Sequence, residues 1–314
     1  MTSSDQEDLR LLRESARTLF ERAGGSGRAR KLRDAGGKWD ADMIRKLAEA
    51  GVFGITVPEE SGGLGMGLAA GGIIAEEVGR VIAPEPVVPL IGLGLGLLLR
   101  LSPDHARLEQ MVGGECVLAV AWQERGPNGG PAEMSCRYAD GKLTGGKAWV
   151  VGAAGAQGFL IVAEGDAGPV LVLAEAGADG LSVKERRQAD GSAMGELTFS
   201  GTPAEELASG DAVLDALREA VSDATALAAA ELVGVSDRAF DLNVMCEVAQ
   251  AAVREILGQM DGEADPKRRA RLASRAKARA VTAAREITRD AVQLHGAVGY
   301  TDEFEIGLYL NRAL

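Results

Sequence analysis

The stretch "MSCRYADGKLTGGKAWVVG", Met134 to Gly152, decides how this chain is built. It is a β-type run, punctuated at Ala139-Asp140-Gly141 by residues that favour a turn. Runs of the same kind surround it: "CVLAVAW" before, and "GFLIVAE", "PVLVLAE" and "GELTFSG" after, separated by turns such as "GDAG". No long helical pattern lies between them. That arrangement predicts an antiparallel sheet or barrel over residues 114–206 rather than alternating strand–helix–strand units.

Helical patterns fill both flanks. In "DQEDLRLLRESARTLFERA" the apolar residues Leu9, Leu12, Ala16, Leu19 and Phe20 share one face. "DADMIRKLAEAGVFG" opens on an acidic cap at Asp40 and stops at Gly51. "LAAGGIIAEEVGRVI" is closed by the proline-rich "APEPVVP", and "GGSGRARKLRDAGG" at 24–37 reads as a loose connector. After the β zone come "AVLDALREAVSDATALAAAELVGVSDRAFDLNVM", "EVAQAAVREILGQM" and "PKRRARLASRAKARAVTAAREITRDAVQLHG". The expected class is therefore α+β: an N-terminal helical domain (1–113), a middle β domain (114–206) and a C-terminal helical bundle (207–314). The basic run Lys267 to Arg279 is spread as a solvated helix face would be, which outweighs a phosphate-binding patch.

Composition narrows the function. Of the 314 residues, 46% are hydrophobic but only 4% aromatic, which suits closely packed alanine-rich helices. A net charge of −12 argues against nucleic acid as a partner. Cys116, Cys136 and Cys246 are odd in number and far apart, the pattern of reduced thiols, and with only His105 and His295 beside them no metal site is expected. The polar N-terminus lacks a signal-peptide core, and "VVPLIGLGLGLLLRL" is too short and too glycine-laced to span a bilayer, so it reads as a buried helix. The expectation is a soluble, cytoplasmic protein. "GGLGMG" at 62–67 has no strand before it and reads as a turn between helices. With no G-x-S-x-G and no P-loop, any chemistry would be borrowed from an organic cofactor.

The closing stretch "QLHGAVGYTDEFEIGLYLNRAL", 293–314, breaks a helix at Gly296 and restarts it at Asp302, with Glu305 completing a capping box. The small residues of "GAVG" could bring bare backbone N–H groups to a ligand, and a plain helix–helix turn explains them as well.

This stretch resembles the acyl-CoA dehydrogenase signature Q-x-x-G-G-x-G-Y/F-x-x-E. Further resemblances follow in family order: "VFGITVPEESGGLGMG" and "IAEEVGRVIAPEP", then "GGECVLAVAWQERG", then "ADGKLTGGKAWVVGA", then "AAAELVGVSDRAFDL". They cover nearly the whole chain. The resemblance implies FAD, an acyl-CoA substrate and an electron-transfer flavoprotein as acceptor. It also implies a carboxylate that takes the α-proton while the β-hydrogen leaves as hydride to flavin N5. By position, Trp122 and Gln123 would flank the flavin and Trp149 would pack near its ring. Gln293, Gly296 and Ala297 would approach the FAD phosphates of a neighbouring subunit.

Three departures bear on activity. Val151 stands where many members carry a threonine that bonds flavin N5, so at most a backbone group could donate there. The family's segment following Leu242 is missing, and the matching flanks favour an omission over a deletion. The usual catalytic glutamate lies beyond the reach of this sequence, which leaves Asp223, near an alternative base position, as the candidate base, with Glu219 one turn earlier. A reading of both as solvated helix carboxylates outweighs the catalytic one. The resemblance thus implies either a homo-oligomeric dehydrogenase or one subunit of a heteromeric enzyme completed by a sister chain. A non-enzymatic protein on this scaffold is the third reading.

Overall fold

The computed structural model describes residues 3–36, 39–126, 134–188, 190–239, 244–295 and 305–314. Its N-terminal part holds α1 (Ser3–Arg22), α2 (Gly27–Asp34), α3 (Ala41–Glu49) and α4 (Gly67–Val81). A continuous helical run follows, made of α5 (Val87–Pro89), a π turn (Leu90–Leu95) and α6 (Gly96–Leu101), and then α7 (Ala106–Val112). Asp40 caps α3 as its sequence suggests, accepting from the Asp42 amide at 2.9 Å. The apolar 87–101 run is largely buried, as expected. The connector expected at 24–37 is instead organised by α2. Its alanine, arginine, lysine and leucine residues are good helix formers, and Arg28 is held by the fully buried Glu85 carboxylate at 3.2 Å.

The central sheet contains β1 (Leu118–Ala121), β2 (Arg137–Ala139), β3 (Lys142–Val151), β4 (Gly158–Gly165), β5 (Gly168–Glu175), β6 (Leu181–Arg187), β7 (Ala193–Pro203) and β8 (Glu205–Ser209). The strand order is β6-β7-β3-β2-β4-β5-β8, with β1 beside β4. Most pairs are antiparallel, but β1 and β2 both pair with β4 in parallel. The reason lies in the connection after β3. One side of β3 is taken by β7 and the other by β2, so the chain must pass over β2 before it rejoins the sheet as β4. β4 is buried on both faces, which its unbroken apolar run "FLIVA" permits. The edge strand β6 is exposed and charged, which blunts edge-to-edge pairing.

Among the described residues four helices follow the sheet: α8 (Ala212–Ala239), α9 (Val244–Asp261), α10 (Pro266–His295) and α11 (Ile306–Ala313). α11 begins at Ile306 with Glu305 at its cap position, while Asp302 lies outside the described residues. The basic run on α10 mostly faces solvent, through Arg268, Arg271, Arg275 and Arg279, but Arg269 and Lys277 turn inward. Among the described residues no helix is long and apolar enough to cross a membrane.

The two helical zones meet where α4 crosses α8. A Cβ on Gly79 would lie 1.9 Å from the Glu231 carbonyl oxygen, and one on Gly234 would lie 1.8 Å from that of Glu76. Only hydrogen fits at either position, so the backbones touch. Around this crossing, Glu77 is ion-paired with Arg13 and Arg17, and Glu76 with Arg13 and Arg254. Both carboxylates are at most 2% exposed. Their partners come from α1 and α9, so the buried charges bind three helices together. Asp261 at the end of α9 accepts from the Leu68 and Ala69 amides and so caps α4. We expect Gly79→Ala to lower the unfolding free energy by about 1–3 kcal/mol through overpacking, measured by urea denaturation against wild type.

Candidate functional site

One wall of the site is set where β1 ends. Trp122 and Gln123 leave the strand, and the next residue, Glu124, anchors them. Its carboxylate accepts from the Lys147 ammonium at 2.6 Å, the Ser135 amide at 2.7 Å and the Cys136 amide at 3.1 Å. The Lys147 side chain is 0% exposed and that of Glu124 only 12%. The Ala148 amide donates to the Gln123 carbonyl at 2.9 Å, fastening the same segment to β3.

The next residue of β3, Trp149, has φ +54° at an interruption of the β3–β7 register between Lys147 and Val150. Left-handed backbone is unfavourable for a bulky residue. Here it keeps the indole 43% exposed within a sheet, and Val151 two residues on is 40% exposed.

Helices supply the opposite wall. Val88, Pro89 and Leu93 come from α5 and the π turn. From α8 come Val221, Ala224, Thr225, Ala228 and Glu231, whose spacing of three and four places them on one stripe. Lys277 reaches in from α10. Together with Trp122, Gln123, Trp149 and Val151, these residues enclose a cavity of about 450 Å³. Four of the residues singled out from sequence are therefore brought to one place.

The lining is mostly apolar, with Gln123 and Thr225 as neutral polar residues and its charged residues, Glu231 and Lys277, together at one end. Past Glu231 the cleft continues into a second cavity of about 270 Å³, bordered by Trp39, Gln188, Ser192 and Arg312. Arg312 donates to Asp190 at 2.6 Å and to the Ala83 carbonyl at 2.8 Å, and its Nε lies 3.5 Å from Glu231. It staples the β6–β7 turn to α8 and to the linker after α4.

Asp223 is elsewhere. Its carboxylate accepts from Arg100 at 2.7 Å and from Arg269, and it faces a third cavity of about 380 Å³ beside Asp261. Glu219 is paired with Arg100 at 2.9 Å. At 9% exposure Asp223 is no solvated surface carboxylate. A guanidinium is bonded to each of its two oxygens, and the side chain does not line the Trp122–Trp149 cavity. This placement departs from the sequence expectation. Its cause is helical phase: Asp223 precedes Ala224, so when Ala224 faces the cavity Asp223 is turned about 100° away.

Gln293 lies in the last turn of α10, and Gly296 and Ala297 fall outside the described residues. Among the described residues no cluster of His, Cys, Asp or Glu could hold a metal. The sequence reading does not single out Glu231, and it assigns Lys277 to the solvated face of the basic run 267–279, whereas the structure turns it into the cavity. The available signal was Glu231 at three residues past Ala228, a lone carboxylate on the apolar stripe of "ALAAAELVGV".

Residues 6–107 match the family model described as acyl-CoA dehydrogenase, N-terminal domain, and residues 202–314 the one described as acyl-CoA dehydrogenase, C-terminal domain. Acyl-CoA dehydrogenase IpdE2 of Mycobacterium tuberculosis is 29% identical over 140 residues, 44% of this chain and 44% of that protein. Acyl-CoA dehydrogenase FadE27 of the same organism is 29% identical over 215 residues, 66% of this chain and 54% of FadE27. The chain thus spans about half the length of these two relatives. Among solved structures, a chain of a steroid ACAD variant, Tcur3481-Tcur3483, superposes with a TM-score of 0.82 at 27% identity, covering 98% of this chain and 92% of that one.

The Glu124–Lys147 pair predicts a pH dependence. Burial opposes the Glu124 charge, but the Lys147 ammonium and the Ser135 hydroxyl and amide outweigh it and hold the carboxyl down at about 2. A depressed carboxyl contributes stability that is complete above its unfolded value of about 4.3 and is lost as pH falls toward about 2. Glu124→Gln should flatten the fall in melting temperature across that window. Lys147→Met, which strands the carboxylate, should cost about 3–5 kcal/mol in chemical denaturation at neutral pH.

Proposed function

Because the chain belongs to the acyl-CoA dehydrogenase family, we propose that the Trp122–Trp149 cavity receives FAD against an acyl-CoA thioester for α,β-dehydrogenation of the acyl chain. The observation that carries this reading is the left-handed Trp149, whose strained backbone presents an indole to the cavity from the same sheet wall as Trp122 and Gln123. Strain of this kind is kept where it serves a ligand. The residues fit the cofactor: two indoles suit a planar ring, the Gln123 amide can meet its polar edge, and the polar end of the cleft can take a hydroxylated chain. Bound there, FAD would supply the hydride acceptor.

The chain's own residues would do the rest. Trp149 and Trp122 would hold the ring in place. Val151 carries no side-chain donor, so hydrogen bonding at that position falls to the backbone. Val88, Leu93, Val221 and Ala224 would surround the acyl group and keep water from the reacting carbons. An enolate developing beside a thioester needs hydrogen-bond donors at its oxygen.

A second reading is favoured by the placement of Asp223. Among the described residues no carboxylate lines the apolar end of the cavity, and Glu231 stands at the opposite end, 3.5 Å from Arg312. We therefore propose that this chain acts as one subunit of a heteromeric dehydrogenase whose sister chain supplies the α-proton acceptor. The similarity to the Tcur3481-Tcur3483 steroid ACAD supports this arrangement and a bulky acyl group, such as a steroid side chain. An electron-transfer flavoprotein would be the acceptor.

The visible spectrum of the purified chain tests these readings. Flavin that bleaches on addition of an acyl-CoA supports a self-sufficient enzyme. Flavin and bleaching that arise only on co-expression with a neighbouring dehydrogenase gene support the heteromer. No flavin under either condition leaves a non-enzymatic scaffold. Asp223→Asn, placed as an ion-pair anchor, should lower stability by about 3 kcal/mol while changing the bleaching rate of an active preparation by less than about threefold, on the order of 0.6 kcal/mol.

A further inference from the structure

The stripe of α8 that lines the cavity runs from Val221 to Glu231, a rise of about 15 Å at 1.5 Å per residue. Its character changes along that length. Val221, Ala224 and Ala228 are apolar, and the last contact is a carboxylate faced by the Lys277 ammonium from α10. Lys277 closes no ion pair and no hydrogen bond among the described residues. Glu231 acts on it only at a distance, and burial draws the ammonium below its ordinary pKa. A donor-only group and an acceptor-only group thus face one cavity with a gap between them.

The chemistry of that gap selects its occupant. Glu231 has Arg312 Nε 3.5 Å from one oxygen and keeps acceptor capacity toward the cavity, while the Lys277 ammonium offers donors with no partner among the described residues. A hydroxyl satisfies both, because it donates and accepts. The gap also sits at the passage to the second cavity, where Gln188, Ser192 and Arg312 continue the polar lining. A ligand that is flat and apolar at one end and carries a flexible hydroxylated chain at the other would match the cleft along its length.

We infer that Glu231 and Lys277 bind the vicinal hydroxyls of the flavin's ribityl chain, a role that rests on the flavin reading of the cavity. The two are binding residues for the cofactor and take no part in proton transfer.

The test compares two ring-matched ligands by flavin fluorescence on the full, flavin-free chain: riboflavin, which carries the ribityl chain, and lumiflavin, which has a methyl group in its place. Wild type should bind riboflavin about tenfold more tightly, as expected for a hydrogen bond to a charged group. In Lys277→Met and in Glu231→Ala the ratio should fall toward one with lumiflavin affinity unchanged. Lys277→Met removes an unpaired, half-buried charge, so its melting temperature should hold or rise, which keeps the comparison valid if Glu231→Ala proves unstable. A ratio that is the same in wild type and variants overturns the inference and leaves the flavin reading standing. So does a variant effect confined to a hydroxyacyl-CoA measured against its unsubstituted acyl-CoA, which would assign the hydroxyls to the acyl group. Failure of wild type to bind either flavin, both alone and when co-expressed with a neighbouring dehydrogenase gene, overturns the flavin reading, and the inference with it.

Discussion

The buried pair of Glu124 and Lys147 is the contact on which the candidate site depends. A lysine whose side chain is 0% exposed is tolerable only if its charge is fully met, and here Glu124 meets it. The carboxylate is in turn saturated by the Ser135 and Cys136 amides and the Ser135 hydroxyl. One ion pair therefore joins the exit of β1, the approach to β2 and the middle of β3. Trp122 and Gln123 precede one partner, and Trp149 follows the other by two residues. The relative placement of the two indoles is thus set by an interaction that never touches the cavity.

The facing wall depends on a different kind of contact. α8 presents its Val221–Glu231 stripe to the sheet because its other side lies directly against α4, with Gly79 and Gly234 at the crossing. Buried Glu76 and Glu77 extend that anchoring to α1 and α9, and Arg312 carries it across to the β6–β7 turn. The sheet wall is held by charge and the helix wall by the absence of side chains. Both are rigid solutions, as a cavity open to ligand requires.

How much could be read in advance varied with how local the cause was. The α+β class follows from β-type runs bracketed by helical periodicity, and the Asp40 cap and the buried 87–101 run follow from patterns within a few residues. The helix α2 was hidden because its flanking glycines suggest a connector, while its ordering contact, Glu85, is 57 residues away. The parallel pairing of β1 and β2 with β4 was hidden because strand order depends on which edges are already taken. Trp122, Gln123, Trp149 and Val151 could be singled out through motif resemblance, but Asp223 differs from a cavity-facing residue by one position of helical phase, which no motif resolves.

The sequence by itself determined the classes of element and their order, because periodicity and turn chemistry act over a few residues and repeat often enough to be counted. It also carried the ordered motifs that mark the family. Only the tertiary structure decided which charges are sealed away from solvent in pairs and which border a cavity. Glu124 and Asp223 are quenched by partners 23 and 46 residues away, whereas Glu231 and Lys277, also 46 residues apart, meet across a cavity without closing. The function of a charged side chain depends on what fills the space beside it, and that space exists only once distant segments have packed.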